Sequence, residues 1–541
     1  MRTIHMALAV MLAAAMARAA EGPDQQQAET GGVKTAPVAA KIEYSLDGGA
    51  TYSAALPATV EPGQIKLQAR VTFNVDDAAA VAMLFLAFED QSTRSAFCLG
   101  SLQDARGKYC GALPLWTHVA GTLNGKAITG PLHPMMYHYL PIDSAALVRG
   151  PNTLIVTGGL AAAGYSRGVP TKALALLAAG PQKPAIRSGP TLGMIGEDFF
   201  TVTCRTSLPA AVTVTATPLE PAGAASTETS APALYHRLKV MLPKGTRKFK
   251  YTIAGKAGAF EDAKGPFEVT LPDPQNFRFL AVGNTRNSSN NITLCPALIA
   301  QMLKTRPQLF MHAGQVVELG TWDFHWDPYY FTPYAQVLAT VPTYLAPDGG
   351  DHTGMVYKTF WTPAGDSEVL NWTQVIGNAR FIGLDGAQDW AAGSPNAAWL
   401  EGVLKNSREK FVFVFNHFPG YASGMMGKMK LPPLVQCREV ILPLLAKYNA
   451  TALISAFDYD YERCEATPPK GVTCIIVGAG GSKRLNQSPT ATRNNPFAGT
   501  GPFVYEHSFA VFDVKADACV MTAIDIAGKE IDSKTFKPRP R

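Results

Sequence analysis

The chain lacks the features that mark membrane-spanning and nucleic-acid-binding proteins. Beyond its N-terminus, no stretch of the 541 residues reaches the roughly 20 consecutive apolar residues that a membrane helix needs. The formal charge of +6 is spread along the chain without a dense block of Lys or Arg, so nucleic acid is not indicated as a partner. Charged residues are scarce at 17%, whereas hydrophobic residues reach 47%, which excludes disorder as the default state. The chain is too long for one core, and we expect about two to four domains.

Several chemical signatures are absent as well. The chain contains no Walker loop ending in Gly-Lys-Ser/Thr and no His-Glu-x-x-His segment, which argues against the phosphate-binding loop and the helix-borne zinc site that those patterns form. No Cys-x-x-Cys segment occurs, which argues against a zinc site built from cysteines.

The N-terminus has the pattern of an export signal. A charged start at Met1-Arg2-Thr3 is followed by an apolar run from about Met6 to Met16 and by the small-x-small segment Ala17-Arg18-Ala19. We therefore predict a signal peptide over residues 1–19 and a periplasmic, cell-surface or extracellular location. Residues 20–40 are rich in Gln, Gly, Ala and Thr without a hydrophobic period, which predicts a flexible leader.

The eight cysteines fit this predicted location, because an even number in an exported chain makes disulfides plausible. The pairs closest in sequence are Cys98 with Cys110 and Cys464 with Cys474. Spacing alone does not define the connectivity, and buried free thiols are the alternative.

Two β-sandwich domains are predicted before the middle of the chain. Residues 41–182 contain short β-type runs separated by turns, such as Ile65–Phe73 with its period of two. Within them, the Asn124-Gly125 turn and the segment 150–154 resemble a pattern of galactose-binding-like jelly rolls. Residues 183–275 contain further strand-like runs and resemble a fibronectin type III-like module, although they lack its usual tryptophan.

The remaining chain has a different pattern. In residues 276–530, apolar strands alternate with helical segments, which predicts an α/β layered domain. Functional residues of such domains lie on loops at the carboxyl ends of the strands. Residues 531–541 are predicted to be a C-terminal tail.

Five short motifs follow these strands in order. They are Gly283-Asn-Thr-Arg286, Gly314-Gln-Val-Val-Glu318, Asp348-Gly-Gly-Asp351, His417-Phe-Pro419 and Ala456-Phe-Asp-Tyr-Asp-Tyr-Glu-Arg463. Together with Phe381–Asp385 and Gly478–Gly481, they resemble the motifs of the calcineurin-like metallophosphoesterases, in particular the purple acid phosphatase-like branch. The resemblance implies a four-layer α/β/β/α domain, preceded at residues 183–275 by a domain similar to the N-terminal module of purple acid phosphatases.

Most metal-binding positions of that family are changed in this chain. The family holds two metal ions with motifs of the type GDxG, GDxx, GNH[DE], a single His and GHxH. The resemblance implies that His417 is the retained ligand. It also implies that the other positions are degenerate, namely Asn284, Gln315, Gly349, Gly350, Phe457 and Tyr459.

Electrostatics indicates what these changes do. Carboxylate ligands offset the mutual repulsion of two divalent ions, and a unit charge at about 4 Å is worth roughly 4 kcal/mol at an effective dielectric of 20. Each change from acid to amide, at Asn284 and Gln315, should cost about a thousandfold in affinity. We therefore expect no cofactor and no catalysis, and we expect Phe457 and Tyr459 to fill the vacated volume. The function expected is binding of an unknown ligand, which could be a carbohydrate, a phosphorylated compound or a protein.

An active phosphoric ester hydrolase with an altered ligand set is the alternative. It would hold Fe, Zn or Mn ions with His417 and a second group of acids and histidines: Glu318, Asp323, His325, Asp327, Asp351 and His352. The simpler interpretation is that Trp322–Asp327 is a solvated loop anchored by its aromatic side chains.

Overall fold

The computed structural model describes the greater part of the chain after residue 31. The described residues are 32–55, 59–60, 68–88, 119–128, 139–142, 144–158, 169–170, 174–286, 294–317, 320, 326–348, 351, 355–361, 370–424, 427, 429–466, 471–482 and 495–540. The predicted signal peptide lies outside them.

The first region is built from short strands in antiparallel sheets. Its strands are β1 (Ala36–Pro37), β2 (Ala40–Ser45), β3 (Thr59–Val60), β4 (Gln68–Val75), β5 (Met83–Phe88), β6 (Val119–Leu123), β7 (Lys126–Ala127), β8 (Tyr139–Ile142), β9 (Gly150–Gly158), β10 (Val169–Pro170) and β11 (Leu174–Ala179). They form sheets of order β2-β4-β9-β6-β7 and β1-β11-β5-β8 and a separate β10-β3 pair. Alternate residues such as Val71, Leu86 and Leu154 form the core between the sheets, as a period of two requires.

The start of this region differs from the predicted leader. Residues 36–37 already form β1, which pairs with β11, and Val33 is buried against Met83 and Phe85. Because this apolar contact spans many residues of sequence, the local composition of the segment did not indicate it.

A single six-stranded sheet forms the second region. Its strands are β12 (Ile186–Ile195), β13 (Phe199–Glu220), β14 (Ser226–Thr229), β15 (Ala233–Met241), β16 (Lys248–Ala257) and β17 (Phe260–Thr270). The long β13 pairs through its first half with β12 and β15 and through its second half with β14 and β16. The sheet is thereby bent about β13.

Two further sheets and several helices form the third region. Its elements are β18 (Phe277–Val282), α1 (Leu294–Lys304), β19 (Leu309–His312), α2 (Ala335–Thr340), β20 (Thr343–Leu345), α3 (Met355–Trp361), β21 (Trp372–Ile376), β22 (Ala379–Gly383), α4 (Pro395–Asn406), β23 (Phe411–Asn416), α5 (Pro432–Gln436), α6 (Leu442–Lys447), β24 (Ala452–Ser455), β25 (Tyr461–Ala466), β26 (Val472–Val477), β27 (Phe503–Val504), β28 (Ser508–Val514), β29 (Cys519–Asp525) and β30 (Glu530–Phe536). Residues 327–331 and 437–441 form single π-helical turns.

The two sheets pack face to face, with helices on their outer sides. Their orders are β20-β19-β18-β28-β29-β30 and β21-β22-β23-β24-β26-β25-β27. Phe279 at the centre lies 5.1 Å from Phe381 and Phe413 and 4.3 Å from Phe512, measured between ring centroids. Because helices cover the outer faces, a central strand such as β23 is buried at every position, which explains its uninterrupted apolar sequence.

The C-terminal segment also differs from the prediction. Instead of beginning a tail, residues 530–536 form β30 at the edge of one sheet, and Phe536 is buried in the core between the sheets. Asp532 of β30 accepts hydrogen bonds from Tyr461 Oη at 2.6 Å and from Arg463 Nε at 2.7 Å. The Tyr-Glu-Arg segment is therefore an anchor for the C-terminal strand.

The mainly β, multidomain architecture agrees with the sequence analysis. Among the described residues, the structure contains no helix long and apolar enough to cross a bilayer.

A buried ionic cluster joins the second region to the third. The carboxylate of Asp327 accepts hydrogen bonds from Arg187 Nε and Arg205 Nη2, both at 2.9 Å, and from Ser188 Oγ at 2.5 Å. Burial raises the pKa of Asp327, but the two arginines outweigh it, so that the pKa lies below its ordinary value. Asp327 is therefore a structural link between regions.

Replacing Asp327 by Asn should destabilise the protein by about 3–5 kcal/mol, because two partly buried guanidinium groups then lose the negative charge of this carboxylate. The control is Asp273→Asn, whose carboxylate forms a half-exposed pair with Arg247 and should contribute less than about 1 kcal/mol. Urea unfolding of both variants measures the difference, and equal losses would contradict this role.

Candidate functional site

Strand ends from both sheets meet where the sequence motifs predict a site. Segments 283–286 and 313–317 follow the parallel strands β18 and β19, whereas His417 and segment 456–460 follow the parallel strands β23 and β24. Backbone hydrogen bonds join the loops, from Asn284 N to Gly314 O at 3.0 Å and from Ala456 N to His417 O at 3.1 Å. All four segments therefore lie at the carboxyl ends of their strands.

The backbone is strained at three of the predicted ligand positions. Asn284, Gln315 and Phe457 have φ angles of 52°, 58° and 64°, and only three other non-glycine residues of the described chain have positive φ. This left-handed conformation costs about 1–2 kcal/mol for most residues other than glycine, is tolerated better by Asn, and is rare for a bulky side chain such as Phe457. Such strain persists only where the surrounding structure imposes it, and it is typical of functional sites.

Side chains from three motifs meet at the centre of the site. Tyr459 is buried, and its hydroxyl donates a hydrogen bond of 2.9 Å to Gln315 Oε1. Asn284 Nδ2 donates to Asp458 O at 3.1 Å. Asn284 Oδ1 is buried and has no hydrogen-bond partner among the described residues. The amide oxygen of Gln315 thus faces a neutral protein group, whereas that of Asn284 is unpaired in the described chain.

His417 is buried beside this closed centre. Its Nδ1 donates to Ala313 O at 2.9 Å, which leaves Nε2 directed at Asp348 Oδ2, 3.8 Å away. The rings of Phe418 and Phe457 lie 5.0 and 5.6 Å from the imidazole. Burial lowers the pKa of His417, so the ring is neutral at neutral pH. Its orientation is that of a histidine with one nitrogen available as a ligand.

The carboxylates near His417 face the backbone. Asp351 Oδ1 accepts from Val316 N at 2.9 Å and from Val317 N at 3.3 Å, and Asp351 N donates to Asp348 Oδ1 at 2.6 Å. Burial and the neighbouring Asp348 raise the pKa of Asp351. Asp351 therefore holds the loop that carries Gln315, a role that the sequence did not indicate.

The altered ligand set of the alternative hypothesis is not assembled in the described chain. Asp327 lies in the ionic cluster with Arg187 and Arg205, and Asp351 is bound to backbone amides. In the part of the chain that the structure describes, no three His, Cys, Asp or Glu side chains are grouped so as to hold a metal ion. The remaining predicted positions lie outside the described residues: Glu318, Asp323, His325, Gly349, Gly350 and His352.

The donors at the site do not fit a pair of divalent ions. Gln315 Oε1 is occupied by the Tyr459 hydroxyl, and the ring of Phe457 offers no ligand atom. Asn284 and His417 are neutral, and the carboxylate that faces the imidazole is that of Asp348. Two metal ions need several carboxylates to offset their repulsion.

The described cysteines are free thiols. Cys464 and Cys474 face each other across β25 and β26, yet they form no disulfide, so this pair follows the alternative of buried free thiols. A hydrogen bond to Cys464, together with burial, raises the pKa of Cys474, which favours the protonated thiol. The other predicted pair, Cys98 with Cys110, lies outside the described residues.

Comparison with known proteins defines the class of fold. The chain is similar to the purple acid phosphatase PPD1 from yellow lupin (Lupinus luteus) seeds, with a TM-score of 0.55 and 14% identity over 92% of this chain and 96% of that one. It is also similar to PhoD, with a TM-score of 0.45 and 11% identity over 64% of this chain and 91% of that one. GAP50, the anchor in the inner membrane complex of Plasmodium, gives a TM-score of 0.40 and 17% identity over 49% and 90%. No family model and no curated protein sequence matches the chain.

The likeness to the lupin protein shows that this chain has a phosphoesterase fold. More particularly, the fold is of the purple acid phosphatase type. The sequence identity of 14% carries no information about activity.

His312 is a site residue that the sequence motifs did not reveal. It is fully buried, its Nε2 donates to Thr285 Oγ1 at 2.8 Å, and its Nδ1 accepts from Gly314 N at 3.1 Å. Burial, assisted by His417, lowers its pKa to about 3. The neutral ring thereby joins the first two motif loops.

The low pKa of His312 predicts a loss of stability in mild acid. The unfolded chain binds a proton to this ring below about pH 6.5, whereas the folded protein does not until about pH 3. The contribution of the neutral His312 ring to the free energy of unfolding is complete above pH 6.5. It falls as the pH decreases, by about 1.4 kcal/mol per pH unit. Between pH 6.5 and 5, the wild type should lose about 2 kcal/mol more than His312→Gln. Urea unfolding at both pH values tests this, and parallel losses would contradict it.

Proposed function

We propose that this chain is an exported binding protein built on a purple acid phosphatase-type fold whose dinuclear metal site has been lost. The observation that carries the proposal is the hydrogen bond that the Tyr459 hydroxyl donates to Gln315 Oε1. By the motif resemblance, Tyr459 stands where the family has a metal-binding His, and Gln315 stands where the family has a metal-binding Asp. Export is supported by the signal-like pattern of residues 1–19.

Charge is the main argument against catalysis. Hydrolysis by two metals requires ions about 3.5–4 Å apart that generate hydroxide and hold the phosphate oxygens. The degenerate positions Asn284, Gln315, Phe457 and Tyr459 contribute no negative charge, and His417 alone supplies a retained ligand. A single neutral imidazole beside one carboxylate suits at most one weakly bound ion.

The binding role fits the proposed division of the chain. Residues 41–182 and 183–275 would form the two β domains, and residues 276–530, extended by β30, the phosphoesterase-like domain. The chemical classes of ligand under consideration remain a carbohydrate, a phosphorylated compound and a protein.

Elemental analysis and an activity assay test the proposal together. After incubation with Fe, Zn or Mn ions and desalting, the protein should retain no stoichiometric metal, and it should not hydrolyse an aryl phosphate with any of these ions. His417→Ala should behave as the wild type does. Stoichiometric metal and turnover that are both lost in His417→Ala would instead establish the active hydrolase with an altered ligand set.

Restoring charge should restore metal affinity. Gln315→Asp combined with Tyr459→His returns a carboxylate and an imidazole to positions beside His417. Since one carboxylate is worth about a thousandfold in affinity, this variant should bind Zn²⁺ at least about a hundredfold more tightly than the wild type. Tyr459→Phe, which opens the hydrogen bond without adding charge, is the matched control. Equal affinity of all three proteins in isothermal titration would show that charge is not the missing element.

A further inference from the structure

A cavity lies beside the loop that carries His417. Its volume is about 110 Å³, and its walls include Pro419, Tyr421, Leu434, Arg438 and Pro496. Because a cavity of about 150 Å³ can hold benzene, this one has room for a group of a few heavy atoms. Pro419 is two residues from His417, so the cavity and the closed site share one loop.

The loop owes this shape to two close approaches of the chain. A Cβ atom at Gly427 would lie 1.9 Å from Ala422 O, and one at Gly420 would lie 2.4 Å from Leu442 Cδ1. Only glycine permits contacts this short. This part of the wall is therefore a closely packed turn held against α6, and it continues directly from the motif that carries His417.

Arg438 is the charged group of the cavity, and it is oriented for binding. Its Nε donates to Gly420 O at 3.1 Å, and its guanidinium carbon lies 5.3 Å from the centroid of the Tyr421 ring. These two contacts fix the plane of the half-buried guanidinium group. Within the described residues Arg438 has no carboxylate partner, so its Nη1 and Nη2 donors have no acceptor of opposite charge there.

The chemistry of the remaining walls restricts the ligand further. Pro419, Leu434 and Pro496 are apolar, and Tyr421 offers an aromatic ring beside the guanidinium group. A guanidinium group without a carboxylate partner can bind phosphate or carboxylate through paired hydrogen bonds from Nη1 and Nη2. We propose that this cavity binds the oxyanion group of a small ligand with an apolar body, held by Arg438. The inference assigns a class of ligand to the binding role proposed above. It rests on that proposal in one respect, namely that the ligand is bound and not hydrolysed.

Isothermal titration at constant ionic strength tests the cavity. The probes are phenyl phosphate, inorganic phosphate and benzoate, with phenol as the uncharged comparison. The wild type should bind at least one oxyanion saturably and phenol not measurably. Binding of both phosphate probes without benzoate assigns a phosphate group, and binding of benzoate alone assigns a carboxylate. Absence of saturable binding of every oxyanion overturns the inference.

Variants show whether Arg438 is responsible. Arg438→Gln should weaken binding at least tenfold, and Leu434→Trp should weaken it by filling the cavity while retaining the charge. Arg408→Gln is the matched control, because Arg408 is exposed and likewise donates to backbone carbonyls; it should bind as the wild type does. Circular dichroism shows whether each variant is folded, and wild-type affinity in folded Arg438→Gln and Leu434→Trp overturns the inference.

Hydrolysis separates this inference from the proposed function. Release of phenol from phenyl phosphate in the same samples would contradict the loss of catalysis, whereas dependence of binding on Arg438 would still support the cavity as the oxyanion site.

Discussion

Two divalent cations held side by side repel each other, and a protein keeps them together only by surrounding them with negative charge. At the positions that the motif resemblance assigns to metal ligands, this chain carries amides and aromatic rings. The hydrogen bond between Tyr459 and Gln315 joins two of these neutral groups. An ion bound to Gln315 Oε1 would have to compete with that hydrogen bond.

The framework of the fold is held by contacts outside the candidate site. The two sheets are held together by the aromatic core around Phe279, and β30 is anchored through Asp532 to Tyr461 and Arg463. The left-handed backbone at Asn284, Gln315 and Phe457 is imposed by the strand ends and their loop contacts.

The sequence motifs predicted the order of elements in the third region and the segments that meet at the candidate site. They could do so because strand ends and their loops are encoded locally, by apolar runs followed by Gly and polar residues. Contacts between distant segments were not accessible in this way. The burial of Val33, the pairing of β30, the link from Asp327 to Arg187 and Arg205, and the role of His312 each join residues far apart in sequence. Cys464 and Cys474 lie opposite each other on neighbouring strands and are nevertheless free thiols. Their spacing in the sequence therefore did not indicate whether they form a disulfide.

The most direct test of the lost metal site is a crystal structure of the protein soaked in Mn²⁺, recorded with anomalous scattering. The account predicts no anomalous peak within about 2.5 Å of His417 Nε2, where a metal ion bound to this nitrogen would lie. It also predicts clear density for the Tyr459 ring in contact with Gln315. Two anomalous peaks about 4 Å apart beside His417, with Tyr459 displaced, would contradict it.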